Sequence, residues 1–348
     1  MNLLTIVIPT YNRSSLLKST LDTLSIQIMP ERFNEIAIVV SDNASPDSTE
    51  ILVHKWIIEN KNIKVSYYRN IENIGFDKNC ISGARKAKGK FIWFMSDDDS
   101  LVDGAVEKVC KALEENSEIV FAFINYSMLT PGFDEYFPYR FQENIKLAAD
   151  ELIIKSKMGF SFISSCVFNR EIFCSLDLSN YLETFWLQLY AAKNAALKGE
   201  SLIIAEPLLK MHRGGLHESR KERKDQRLKV DAFMVSHLCY LDFLDSFKNS
   251  LYSNETYKSI KDFGWNDNLN QIISLKLTSD RYSLEEIKII YSKMRKYYSR
   301  KVLFWIFHVP MLLLPKFASI IYFFLKLKFI KLKKVLKPIV VWQRKLCS

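Results

Sequence analysis

The first hundred residues alternate between two patterns. Short runs with strand character fall at 3–8, 36–40, 65–69 and 91–95, and the most apolar of them suit strands covered on both faces. Between them the apolar positions recur at three- and four-residue intervals, as at Leu16, Leu17, Leu21 and Leu24. That spacing predicts helices over 15–27, over 48–60, and from 73–79 to Gly89, with Ser14 as a candidate N-cap. Strand–helix alternation of this kind builds a mostly parallel sheet flanked by helices. Loops after the strands of such a sheet share one rim, where ligands bind. Three polar loops, 9–13, 41–47 and 96–99, belong to that rim.

The second half is less regular. Residues 119–126 and 160–168 read as strands, 181–198 as a helix closed by Gly199, and 202–205 as a short strand stopped by Glu206 and Pro207. Residues 211–228 are polar, basic and glycine-containing, the composition of a mobile loop. A helical pattern then runs over 229–300. The expected organisation is an α/β domain over 1–228, a helical region over 229–300 and a separate tail over 301–348. Within the first domain, 1–110 form one half and 111–228 the other.

The stretch that stands out is 91–99. Five apolar residues, Phe91 to Met95, run through Ser96 into Asp97, Asp98 and Asp99. Three adjacent carboxylates at the end of a buried strand repel one another unless a cation or a strongly hydrated rim takes up their charge. Oxygen ligands of this type select Mg2+ or Mn2+ over zinc.

Charge and cysteine content narrow the setting. The net charge of +10 is uneven: from Ile287 onward there are 15 Lys/Arg and no Asp/Glu, leaving 34 basic against 39 acidic residues before it. The tail interleaves its lysines with Leu, Ile, Phe and Trp, which suits an anionic lipid surface better than nucleic acid. Pro310, Pro315 and Lys316 interrupt 302–325, so two short helices lying in the headgroup region, over 302–337, fit better than one spanning segment. The six cysteines show no C-x-x-C pair, which speaks against a disulfide framework or a zinc site and suits a reducing compartment. Residues 3–8 are too short an apolar run, without a basic leader, to be a signal peptide.

Four motifs in order, Thr5–Arg13 (Thr-Ile-Val-Ile-Pro-Thr-Tyr-Asn-Arg), Ser41-Asp42-Asn43-Ala44-Ser45, Asn73-x-Gly75 with Lys78-Asn79, and Ser96-Asp97-Asp98-Asp99, resemble those of family 2 glycosyltransferases. The wording of 40–49 and 73–79 is most similar to the bacterial abequosyltransferase-type branch, which builds O-antigen. The resemblance covers roughly residues 1–210 and implies the GT-A fold, a Rossmann-like mixed sheet. It implies that Pro9, Thr10 and Tyr11 pack round a nucleotide, that Asp42 contacts the base, and that Arg13 and Lys78 reach phosphate or base edges. It makes Asp99 the direct ligand of Mn2+ or Mg2+, with Asp97 or Asp98 holding the ribose or a metal-bound water. A literal D-x-D also offers Asp97 as a ligand. His212 and Arg213 match a loop that closes over the pyrophosphate, Arg213 toward phosphate and His212 toward metal. The family's catalytic base is an Asp in a Glu-Asp pair. Here that Asp position reads as Thr184, which leaves Glu183 as the candidate and Asp177 in reserve.

The expectation is a metal-dependent, inverting transferase. It moves a sugar from a nucleotide to a hydroxyl of a lipid-linked glycan, peripheral on the inner face of a bacterial cytoplasmic membrane. A nucleotidyltransferase would want a glycine-rich loop after the first strand, and 9–13 has none. A non-catalytic, membrane-bound scaffold with a degenerate transferase fold is the other alternative, kept open by Thr184.

Overall fold

The computed structural model describes residues 2–129, 134–157, 159–184 and 186–212, and beyond these only short pieces between 242 and 321. The chain divides into two compact units, Met1–Ser236 with Ser246–Ser259, and His237–Asp245 with Ile260–Ser348.

The first unit opens as the patterning predicts. β1 (Leu4–Thr10), α1 (Ser14–Gln27), β2 (Ile36–Asp42), α2 (Thr49–Glu59), β3 (Lys64–Arg69), α3 (Phe76–Lys86) and β4 (Phe91–Phe94) follow one another, and the strands pair in parallel. The chain continues through β5 (Ser100–Leu101), α4 (Ala105–Glu115), β6 (Phe121–Leu129), β7 (Ile145–Leu147), α5 (Ala149–Ser156), β8 (Cys166–Asn169), α6 (Arg170–Ser175), α7 (Leu187–Ala196) and β9 (Ser201–His212). Among the described residues these strands form one sheet of order β3-β2-β1-β4-β8-β6-β9-β5, with β7 paired to β9. Antiparallel β8 sits between β4 and β6 and makes the sheet mixed. β4 is covered on both faces. Phe91, Trp93 and Phe94 are buried with Phe121 and Phe168 of the neighbouring strands, each such side chain contributing about 1.5–3 kcal/mol. α3 lies tight on the sheet at Gly83, where an added Cβ would come within 2.7 Å of Val7 Cγ1 and 3.0 Å of Ser41 Cβ.

Several expectations need correction. β1 does not stop at Ile8 but continues through Pro9 and Thr10, opposite Ser41 and Asp42. Pro9 is tolerated because β4 pairs with β1 only as far as Val7↔Phe94, so no neighbour on that side needs its missing N–H. Ser14 is the first helical residue rather than the cap, and its N–H is taken by Asp47 Oδ2 at 2.9 Å. Only the end of the 160–168 run, from Cys166, is strand. Ahead of it the chain forms two 3-10 turns, Gly159–Ser161 and Ile163–Ser165, because the Ser165 hydroxyl bonds back to Phe162 O at 2.6 Å. The 181–198 helix begins only at Leu187. Ahead of it, Glu183 has φ +64°, a left-handed conformation that interrupts a helix. Pro207 does not end its strand either. β9 runs from Ser201 to His212, with an irregularity against β6 between Ile124 and Tyr126 that accommodates the proline.

Residues 213–228 and most of 229–348, including 315–320 and 322–337 of the tail segment, lie outside the described residues. In the second unit a π-helical turn, Phe304–His308, leads into a short helix, Val309–Leu313. Among the described residues no helix is long and apolar enough to cross a membrane.

Candidate active site

The sheet delivers the three acids where the chain leaves β4. Asp97 is buried. Its Oδ2 accepts the Thr10 hydroxyl at 2.8 Å and its Oδ1 accepts Arg13 Nη1 at 2.9 Å. The same Arg13 nitrogen reaches Asp98 Oδ2 at 3.1 Å, and the Ser96 hydroxyl donates to Asp98 Oδ1. Thr20 on α1 donates its hydroxyl to Asp97 O at 3.1 Å. One cation therefore serves two carboxylates, and the loop after β1 is fastened to the loop after β4. Asp99 turns the other way: its Oδ2 accepts the Ser164 hydroxyl at 2.6 Å.

The electrostatics follow from that division. Burial raises the Asp97 pKa above the usual carboxylate range, Arg13 opposes the shift, and Asp98 adds to it. Burial pushes Asp99 up much further, with Asp98 adding and Ser164 opposing. Burial works against the Arg13 charge, yet Asp97 and Asp98 outweigh it and raise its pKa. The site thus holds more negative charge than Arg13 neutralises, the setting in which a divalent cation is favoured. No group of three or more His, Cys, Asp or Glu among the described residues surrounds one point. Mg2+-type sites commonly use one or two carboxylates and complete the shell with substrate phosphates and water, and Asp99 fits that role. Residues Ser100 and Lys210 pair between β5 and β9, which brings His212 Nε2 to 2.7 Å from Ser100 Oγ. His212 therefore stands one residue from Asp99. Arg213 lies outside the described residues.

Asp42 ends β2, fully buried. Its Oδ1 accepts the Ser45 N–H at 2.9 Å and the Ser45 hydroxyl, and its Oδ2 accepts Tyr67 OH and Arg69 Nη1 at 3.0 Å. It builds the loop it sits in, with Arg69 as its counter-charge. Ser45 Oγ also takes the Asn12 N–H at 2.9 Å, tying together the loops after β1 and β2. Pro9 and Thr10 are buried beside them, and Tyr11 is 39% exposed at the rim.

Across the rim, α3 meets the loop before α7. Asp77 Oδ2 accepts the Thr184 N–H at 2.9 Å, and Lys78 Nζ lies 3.7 Å from Glu183 Oε1. Glu183 and Lys78 are thus brought together, with the Glu183 side chain 82% exposed. Asp177 instead receives the N–H and hydroxyl of Ser179, at 3.1 and 2.6 Å, and those bonds lower its pKa. A groove along α3, lined in part by Lys78, Arg85, Lys86 and Leu182, opens beside Glu183.

Sequence reasoning did not single out Ser164, Asp77, Tyr67 or Arg69. Tyr67 and Arg69 carry a weak signal: residues two apart on a strand share a face, and Arg69 pairs directly with Asp42 in the β2–β3 register. Ser164 and Asp77 give none, because their partners lie 65 and 107 positions away.

Comparison with known proteins agrees with this geometry. The chain is 27% identical over 266 residues to abequosyltransferase RfbV of Salmonella typhimurium, covering 70% of this chain and 75% of that one. It is 31% identical over 118 residues to the GalNAc(5)-diNAcBac-PP-undecaprenol beta-1,3-glucosyltransferase of Campylobacter jejuni, covering 34% of this chain and 37% of that one. Among solved structures it is similar to S. aureus TarS 1-349 in complex with UDP-GlcNAc. The TM-score is 0.60 and the identity 16%, over 85% of this chain and 81% of that one. It spans 49% of a longer S. aureus TarS chain. A mannosyltransferase from Pyrobaculum calidifontis, solved with GDP-Man and Mn2+, matches at a TM-score of 0.52 and 13% identity, over 83% of this chain and 78% of that one. The shared fold is GT-A. Residues 5–176 match the family described as Glycosyl transferase family 2, and that stretch carries a domain of this family of glycosyltransferases.

Proposed function

We propose that the enzyme moves a sugar from a nucleotide-sugar donor to a hydroxyl of a lipid-linked glycan, with inversion and with a divalent cation, at the inner face of a bacterial membrane. The observation that carries this is the triplet at the end of β4, in which Arg13 ties down Asp97 and Asp98 while Asp99 is held apart. Mn2+ or Mg2+ bound at Asp99 would act as a Lewis acid on the departing diphosphate. Asp97 and Asp98 fix the loop that frames it, Arg13 and Lys78 supply positive charge for phosphate, and His212 stands beside the ligand. Pro9, Thr10, Tyr11 and Asp42 shape the nucleotide's side of the rim, and Arg213, next in sequence after His212, is assigned to phosphate.

Glu183 is the base for the acceptor hydroxyl. It is solvent-facing, beside the α3 groove, with the Lys78 ammonium 3.7 Å away. The names of the relatives support the acceptor class: one transfers abequose and the other acts on a PP-undecaprenol-linked saccharide. The structures solved with UDP-GlcNAc and with GDP-Man and Mn2+ support the donor class and the metal. The basic, apolar segment over 302–337 would bring the enzyme to a lipid-anchored acceptor.

The test is release of sugar from UDP-, GDP-, CDP- and dTDP-linked donors, with Mn2+ and with EDTA. Turnover of one donor class in Mn2+, abolished by EDTA and by Asp99→Ala, is expected. Equal turnover in EDTA would remove the metal. No turnover of any donor, with or without an acceptor extract, would favour the non-catalytic scaffold.

A further inference from the structure

We propose that Ser164 is a positioning residue of the donor site: it aims the Asp99 carboxylate at the cation and the leaving diphosphate. This rests on the function proposed above and adds to it a residue from the other half of the domain.

Ser164 is fully buried in the 3-10 turn Ile163–Ser165. Its backbone carbonyl accepts the indole N–H of Trp93 at 2.7 Å, so the turn is fixed to β4, a strand buried along its whole length. Its hydroxyl accepts the Ser96 N–H at 2.9 Å and donates to Asp99 Oδ2 at 2.6 Å. A hydroxyl has one proton, and here it has one direction in which to spend it. Rotating the side chain away would strip the part-buried Ser96 N–H of its acceptor. Both ends of the bond are therefore pinned, one by β4 and one by the acid loop.

The other two acids are held differently. Asp97 and Asp98 share Arg13 as their counter-charge. Among the described residues, Ser164 alone donates a hydrogen bond to the Asp99 carboxylate, and it takes Oδ2. Oδ1 is thereby given a fixed direction without being given a counter-charge. A neutral donor suits this task, because a lysine or arginine there would compete with the metal. A second polar tie runs through the same stretch: Gln188 Nε2 on α7 donates to Ser161 O at 2.7 Å. The 3-10 turn just before the one carrying Ser164, Gly159–Ser161, is therefore anchored to the helix that follows Glu183.

Isothermal titration of UDP, GDP, CDP and dTDP into the full chain, with Mn2+ and with EDTA, tests the role. In the wild type, Mn2+ tightens binding of at least one of them. Ser164→Ala, and Ser164→Cys with a weak donor in nearly the same space, are expected to lose roughly tenfold of that tightening. Their affinity in EDTA stays within about twofold of wild type, and Ser164→Thr, which keeps the hydroxyl, retains most of the metal effect. The proposal is overturned if a folded Ala or Cys variant keeps the full tightening, if affinity falls equally with and without Mn2+, or if neither variant folds. The last two outcomes make Ser164 merely structural. A wild type with no Mn2+ effect removes the metal-dependent function itself, and Ser164's role with it, so the two failures are distinguishable.

Discussion

Asp77 at the start of α3 accepts the backbone N–H of Thr184 at 2.9 Å, and this single bond locks the residue before Thr184 into an unusual backbone. Glu183 has φ +64°, which costs a non-glycine residue about 1–2 kcal/mol. Glycine would remove that strain at an entropic cost of roughly 0.5–1 kcal/mol. Glu183→Gly is therefore expected to be neutral or slightly stabilising in urea denaturation, and Glu183→Gln neutral. Both should lower transfer to acceptor by about 10²-fold or more, the usual contribution of a general base. Full transfer by the Gln variant would remove Glu183 from the mechanism.

Lys193 provides a pH signature. It is buried on α7, donating to Ser246 O and Oγ at 2.9 and 3.0 Å, with its ammonium 5.0 Å from the Phe247 ring centre. Burial lowers its pKa to about 8, against about 10.4 for a free lysine. Between those values the unfolded chain binds more protons than the folded one, so stability rises with pH. The penalty is complete below about pH 8 and gone above about pH 10.4. Denaturation of wild type and Lys193→Met should show the wild type gaining about 2 kcal/mol relative to the variant between about pH 7.5 and about pH 10. A flat difference would mean the amine is solvated.

Gly83→Ala sets helix propensity against packing. In an isolated helix alanine would gain about 1 kcal/mol over glycine. Here its Cβ would stand 2.7 Å from Val7 Cγ1, and overpacking of that kind costs about 1–3 kcal/mol. A lower denaturation midpoint is expected. A higher one would place α3 farther from the sheet than 2.7 Å implies.

Removal of 302–348 should abolish sedimentation with vesicles containing anionic lipid, and salt should weaken binding of the full chain to them. Continued sedimentation of the truncated protein would assign membrane contact elsewhere.

The first half of the domain was readable because its signals are local. Unbroken apolar runs marked β1, β2 and β4, and the acids at 97–99 announced the rim. The second half was not readable for the same reason. Serines 164 and 165 sit in an apolar stretch that imitates a strand, and only their hydroxyl bonds reveal the turns. Pro207 looked like a stop, yet the β6 irregularity lets β9 pass it. Glu183 is a candidate through the resemblance to the family's Glu-Asp pair, whereas Asp77 and Lys78, which meet Thr184 and Glu183 in space, lie on α3.

β9 has a further consequence. It starts at the back of the sheet, opposite Phe121, and finishes at His212, beside the residue that follows Asp99. Inserting one amino acid between Pro207 and His212 would advance the imidazole by about 3.3 Å and turn it to the opposite face. The length of this strand is therefore a ruler for the donor site, and lineages that lengthen the domain have reason to do so in its loops.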